Sequence, residues 1–93
     1  MANMQPGQVV YSTAGRDEGR TFIVLSIIDD NHVYISDGDL RKVSKPKKKK
    51  VKHLKSTGIV ASSIKEKLLS NIKVEDFEIR EYLTLLSKKE QEV

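Results

Sequence analysis

Nine of the fifteen residues from Arg41 to Lys55 are lysine or arginine, and none is acidic. They are Arg41, Lys42, Lys45, Lys47, Lys48, Lys49, Lys50, Lys52 and Lys55, with His53 among them. The chemistry open to such a run is neutralisation of a polyanion. Ammonium and guanidinium groups displace counterions from phosphates, an attraction that carries little information about base sequence. A second constellation lies upstream: Gly15-Arg16-Asp17-Glu18-Gly19-Arg20 puts an arginine directly after each of two glycines. Glycine admits positive φ, so this spacing suits a loop that turns sharply twice and brings its backbone close to a partner. Arg16 and Arg20 offer planar, bidentate contacts to phosphate. Asp17 and Glu18 cancel their charge, so the loop orients a ligand more than it attracts one. The two acids are also placed to fix Arg16 or Arg20, or to accept hydrogen bonds from base edges and ribose hydroxyls. A lysine run also serves as a solvated loop, or as a charged edge that blocks pairing between sheets. Composition alone does not separate these roles. Pro46 to Val51 has the form of a short nuclear-localisation run, as many lysine tracts do.

Other chemistries lack their residues. His32 and His53 are the only histidines and there is no cysteine, so neither a metal centre nor a thiol nucleophile is expected. No G-x-S-x-G elbow occurs, and the glycine loop has no Gly-Lys-Ser/Thr after it. Asp29-Asp30 and Glu75-Asp76 are adjacent in sequence, which points their side chains apart on a strand or helix, so neither reads as an acid–base pair. The expectation is a protein that is not an enzyme, with no cofactor and no small-molecule substrate. No run of apolar residues is long enough to span a bilayer, and the N-terminus lacks the basic and apolar regions of a secretion signal. A soluble cytoplasmic protein is expected.

The elements that must position these residues follow from the apolar pattern. Ninety-three residues allow one small domain. Outside residues 41–55 the chain holds eight basic and thirteen acidic residues, so a mildly acidic body carries one cationic segment. Strands are expected over Gly7–Ser12, Thr21–Ile28 and His32–Ser36. The second is apolar at Phe22, Ile23, Val24, Leu25, Ile27 and Ile28 without alternation, so both its faces should be covered. Two short edge strands, near Leu40–Ser44 and Val51–Ser56, are expected around a basic loop at Lys45–Lys50, because Pro46 excludes a central strand. Ser63 and Glu66 form a capping-box pattern opening a helix through Ile64, Leu68 and Ile72, with Asn71 as its stop. A second helix starts near Val74 with Glu75 and Asp76 in its first turn. It carries Ile79, Leu83 and Leu86 on one stripe, with Tyr82 beside it. The expected fold is mainly β with α, a small barrel followed by two short helices whose apolar stripes cover the outer face of the second strand. The expected division is residues 1–58 for the barrel with its basic segment 41–55, and residues 59–93 for a helical extension packed on it, one domain overall.

The pattern Gly7-x-Val9-Val10-x-Ser12-x-x-Gly15-Arg16-Asp17-x-Gly19-Arg20-x-Phe22-x-Val24 resembles a KOW motif, the strand–loop–strand signature of SH3-like barrels in ribosomal proteins and transcription elongation factors. Within that group it is most similar to the archaeal and eukaryotic large-subunit ribosomal proteins of the fourteen-e type. The landmarks are Gly19-Arg20 before an apolar strand, Asp29-Asp30-Asn31, Asp37-Gly38 and Lys52-His53-Leu54. Many KOW motifs carry a further glycine where this chain has Phe22. The resemblance covers about Met4 to Thr57. It implies an SH3-like barrel that binds ribosomal or other structured RNA, in the cytoplasm and in association with the ribosome. The residues expected to touch RNA are Gly15, Arg16, Gly19 and Arg20 of the loop, and Arg41, Lys42, Lys45, Lys47, Lys48, Lys49, Lys50, Lys52, His53 and Lys55 of the basic segment. Tyr11 and Tyr34 are candidates for base stacking, although a packing role suits them as well. The alternative is a KOW-type protein-interaction module, with ribosomal or transcription proteins as partners.

Overall fold

The computed structural model describes residues 4–91, and the side chains of residues 4–89. Five strands run over Gln8–Ser12 (β1), Thr21–Ile27 (β2), His32–Ser36 (β3), Lys47–Lys50 (β4) and Leu54–Val60 (β5). All neighbours are antiparallel, in the order β4-β3-β2-β1-β5. A single 3-10 turn, Val51–His53, leads from β4 into β5. Two helices follow, Ser62–Leu69 (α1) and Asp76–Gln91 (α2). This is a small mainly-β fold with α, consistent with an SH3-like barrel and two C-terminal helices.

The absence of alternation in β2 has the consequence expected of it over Phe22 to Val24. Phe22 and Val24 point into the barrel, where they bury with Val10, Val33, Ile35 and Leu54. Ile23 points the other way and buries with Val9, Ala61, Ile64, Val74 and Ile79. The middle of the sheet is thus covered on both faces, one by its own curl and one by the helices, whereas Ile27 and Ile28, expected to be covered, are exposed, as is the outer face of β3 at Tyr34. Leu25, Leu68, Tyr82, Leu83 and Leu86 complete the second cluster. Each fully buried Val, Ile or Phe contributes about 1.5–3 kcal/mol of transfer free energy, so neither cluster is dispensable in so short a chain.

Four local expectations are corrected. The strand expected near Val51–Ser56 starts only at Leu54 and runs on to Val60, because Val51–His53 form the 3-10 turn. Residues 40–44 are not a strand: Asp37 accepts hydrogen bonds from the backbone N–H of Asp39 and Arg41, which curls the segment back on itself. Leu40, whose apolarity favoured a strand, is 70% exposed. The lysines expected in a loop are themselves the edge strand, β4, with Lys47 to Lys50 paired in register with Ile35 to His32. Pro46 sits just before it, where its missing N–H costs no ladder bond. The capping box is also displaced. α1 begins after Ala61 with no side-chain cap. It is α2 that is closed by a reaching carboxylate, Glu78 accepting from the Glu75 N–H at 2.8 Å.

The stop of α1 is as read. Asn71 takes φ +58°, while the N–H of Ile72 reaches the carbonyl of Lys67 and that of Asn71 the carbonyl of Leu68. This pair of bonds is the Schellman arrangement that satisfies terminal carbonyls. α2 docks through its first turns. Asp76 Oδ1 accepts from the Val43 N–H at 2.7 Å, and Arg80 donates to the Gly38 carbonyl at 2.6 Å. Gly38 has φ +72°, and a Cβ there would collide with the Asp76 carbonyl oxygen. The glycine therefore permits the helix to approach as well as the chain to turn.

Candidate nucleic-acid interface

The glycine loop and the basic segment lie against each other, and three contacts hold them there. The Thr13 N–H donates to the His53 carbonyl at 2.8 Å. Lys49 Nζ donates to the Ala14 carbonyl at 3.1 Å, and Arg41 Nη2 donates to Asp17 Oδ2 at 3.1 Å. Within the loop the Gly19 N–H reaches the Ser12 carbonyl and the Ser12 N–H the Arg20 carbonyl, while Arg20 N–H bonds to the Asp17 carbonyl. Gly15 and Gly19 both take positive φ, the two sharp turns their spacing called for.

The cations divide into two kinds. Arg20 and Arg41 are bound to acids: Arg20 pairs with Asp37 and lies 3.9 Å from Asp17, and Arg41 pairs with Asp17. Both aspartates are buried. Two guanidinium groups and two carboxylates make this a locally neutral knot at one end of the barrel. Asp17, expected to fix Arg16 or Arg20, lies 3.9 Å from Arg20 but bonds to Arg41, 24 residues downstream, which gave no sign in the sequence. Asp37 looked like a turn residue and is also an ion-pair anchor. The arrangement is what a buried carboxylate requires, since without a partner it would lose its hydration uncompensated.

The lysines behave differently. In β4 the side chains alternate: Lys48 and Lys50 are exposed, Lys47 is half-buried and Lys49 is buried. Lys49 shares its row with Val33 and Lys47 with Ile35, the interior side of the sheet. Lys49 therefore spends its charge on the loop carbonyl of Ala14. Lys42, Lys45, Lys52 and Lys55 are exposed, as is Arg16 at the loop tip, and His53 is half-buried. Leu40, Arg41, Lys42, Lys45, Lys47 and Lys48 line an open groove before and along β4. On the outer face of the sheet Tyr34 is opposite Lys48 and His32 opposite Lys50. His32 Nδ1 lies 3.0 Å from Asp29 Oδ1. The Asn31 N–H, and then the His32 ring, hold the Asp29 carboxyl below its ordinary value. Tyr11, by contrast, sits with Val9, Leu83 and Leu86 between β1 and α2. Among the described residues no group of acids and histidines is arranged to hold a metal, and no helix is long and apolar enough to cross a membrane.

What this surface can do chemically is bind an extended anion: a row of ammonium groups on a rigid strand, with the glycine loop fixed beside it. No family model matches the chain. A curated relative does: the large ribosomal subunit protein eL14 of Desulfurococcus amylolyticus is 37% identical over 57 residues. The chain is similar to an archaeal ribosomal protein. The aligned stretch is 61% of this chain and 59% of that protein, so the likeness spans rather more than half of each.

Proposed function

We propose that the chain is a non-enzymatic RNA-binding protein that docks on ribosomal or other structured RNA through the lysines around β4, with the glycine loop setting its orientation. The observation that carries this reading is the edge strand of lysines, presented beside the glycine loop in a chain similar to a ribosomal protein. Lys42, Lys45, Lys48, Lys50, Lys52 and Lys55 supply exposed charge, and Arg16 extends it to the loop tip. Lys47 and His53 contribute at the margin. Arg20, Arg41 and Lys49 hold the loop and strand in place, and Gly15 and Gly19 shape the loop that they hold. Binding of this kind is strong in charge and weak in base readout. In this reading the barrel, which runs through Val60 at the end of β5 and so two residues past the expected boundary at 58, binds, and the helices α1 and α2 brace it, in the cytoplasm and on the ribosome.

Ultraviolet crosslinking in cells, followed by sequencing of the attached RNA, tests the proposal. Ribosomal RNA enriched over a matched control is the expected result. Recovery of no RNA above background overturns it.

A further inference from the structure

Tyr34 and the lysines opposite it form a surface that charge alone does not explain. Residues paired across an antiparallel sheet project to the same side, with Cβ atoms about 4.5–5.5 Å apart. Tyr34 is paired with Lys48, and His32 with Lys50. Positions two apart on a strand share a face and lie roughly 7 Å apart. His32, Tyr34, Lys48 and Lys50 therefore make one outer patch, two rings framed by two ammonium groups. Tyr34 belongs to neither hydrophobic cluster and is 38% exposed. Beside the patch, Asn31, His32, Lys50 and Lys52 line a shallow cavity of about 260 Å³. Asp29 lies against His32 Nδ1 and steadies the ring. Asn31 is exposed at the cavity wall, and its carboxamide has two N–H donors and an acceptor to offer a ligand there.

We propose that this outer face is a site for unpaired nucleotides, in which Tyr34 takes a base on its ring, Lys48 and Lys50 neutralise the flanking phosphates, and Asn31 meets the edge of a neighbouring base in the cavity. The inference rests on the RNA-binding reading above and narrows it to single-stranded loops, bulges or ends. The physical reason is access. In an A-form duplex the base faces are stacked on each other, so an aromatic ring on a flat sheet finds only sugar and phosphate. A splayed base offers its whole π-face. Stacking of this kind is sequence-tolerant and adds to the lysine attraction without depending on salt.

The test uses the full chain and two probes of equal length, oligoadenylate alone and the oligoadenylate–oligouridylate duplex, with affinity read by fluorescence anisotropy. Tyr34→Ala is expected to weaken single-strand binding by about tenfold, from the typical worth of one base stacked on an aromatic ring. It should leave duplex binding and the salt slope unchanged. Tyr34→Phe keeps the ring and should bind the single strand within about twofold of the parent. The chain has three tyrosines and no tryptophan, so single-strand binding should also quench tyrosine emission, and Tyr34→Phe should remove most of that quenching. Equal losses on both probes with Tyr34→Ala, or no loss on either, overturn the nucleotide site while leaving RNA binding intact. Failure of the unaltered protein to bind either probe overturns both readings.

Discussion

Arg20 and Arg41 carry the same unit charge as the lysines around β4 and make opposite contributions to the surface. Arg20 and Arg41 are closed into a knot with Asp17 and Asp37, both carboxylates buried. The lysines of β4 and its flanks stand mostly in solvent, with no carboxylate in the sheet beside them. The difference lies in what each side chain offers. A guanidinium forks across a carboxylate and tolerates partial desolvation, whereas an ammonium on a flexible stem keeps its water. The arginine end is structure, and the lysine end is available charge. Lys49 marks the boundary, a lysine that is buried and bound like the arginines.

Removing an anchor from the knot should give the largest effect. Asp37→Ala strands Arg20 and frees the N–H groups of Asp39 and Arg41, and should cost about 2–4 kcal/mol of stability. The urea midpoint measures it; a loss under about 0.5 kcal/mol would show the knot to be ornamental. Next in size is the contrast in salt response. Replacing Lys42, Lys45, Lys48 and Lys50 together by alanine should lower the log–log salt slope of RNA binding by about 3, at 0.7–0.9 per phosphate contact. The melting temperature should barely move. Lys49→Ala should do the reverse, leaving the slope alone and weakening the fold by about 1 kcal/mol. If Lys49→Ala lowers the slope as the exposed lysines do, the two-class division fails.

The smallest effect belongs to the first turn of α2. The Glu75 N–H, and then Lys67, hold the Glu78 carboxyl below its ordinary value of 4.5. A carboxylate depressed by folding stabilises above its unfolded pKa, and that support is lost as pH falls through the folded one. Glu78→Gln should therefore cost under about 1 kcal/mol at neutral pH. The difference from the parent should shrink as the pH falls below 4.5 and vanish once it has passed the lowered folded value. A gap that persists there would assign the effect to shape instead of charge.

How much of this was legible depended on whether the signal was local. β3 is His32–Ser36 as expected, and the unbroken apolar run of β2 is buried on both faces over Phe22 to Val24, but its end at Ile27 and Ile28 lies in solvent. Asn71 ended its helix because a short amide side chain tolerates positive φ. The lysine strand was missed because strand patterns are recognised by apolar alternation. In Lys47 to Lys50 the alternation exists only in burial, identical residues pointing alternately in and out. The apolar Leu40 and Val43 drew a strand to a segment that Asp37 instead curls. At the candidate site, an acid of the loop holding Arg20 was expected. The pairing of Arg20 with Asp37, and the loss of Arg41 and Lys49 to internal contacts, were not, since these partners are 17, 24 and 35 residues away.

The docking of α2 on Gly38 and Val43 has a consequence for the order in which the chain acquires its shape. Those contacts join residues 33 and 42 positions apart. Synthesis runs from the N-terminus, so the curled segment before β4 leaves the polymerising machinery well ahead of the helix turn that clamps it. Loop closure over such separations is slow compared with forming a hairpin. The nascent lysine strand therefore passes through an interval in which its β3 neighbour is made but its approach path is unclamped. Only arrival of Asp76 and Arg80 ends it. A chain truncated before Asp76 would carry every basic residue from 41 to 55 and keep the β3–β4 pairing, yet lose both contacts that clamp the segment before β4.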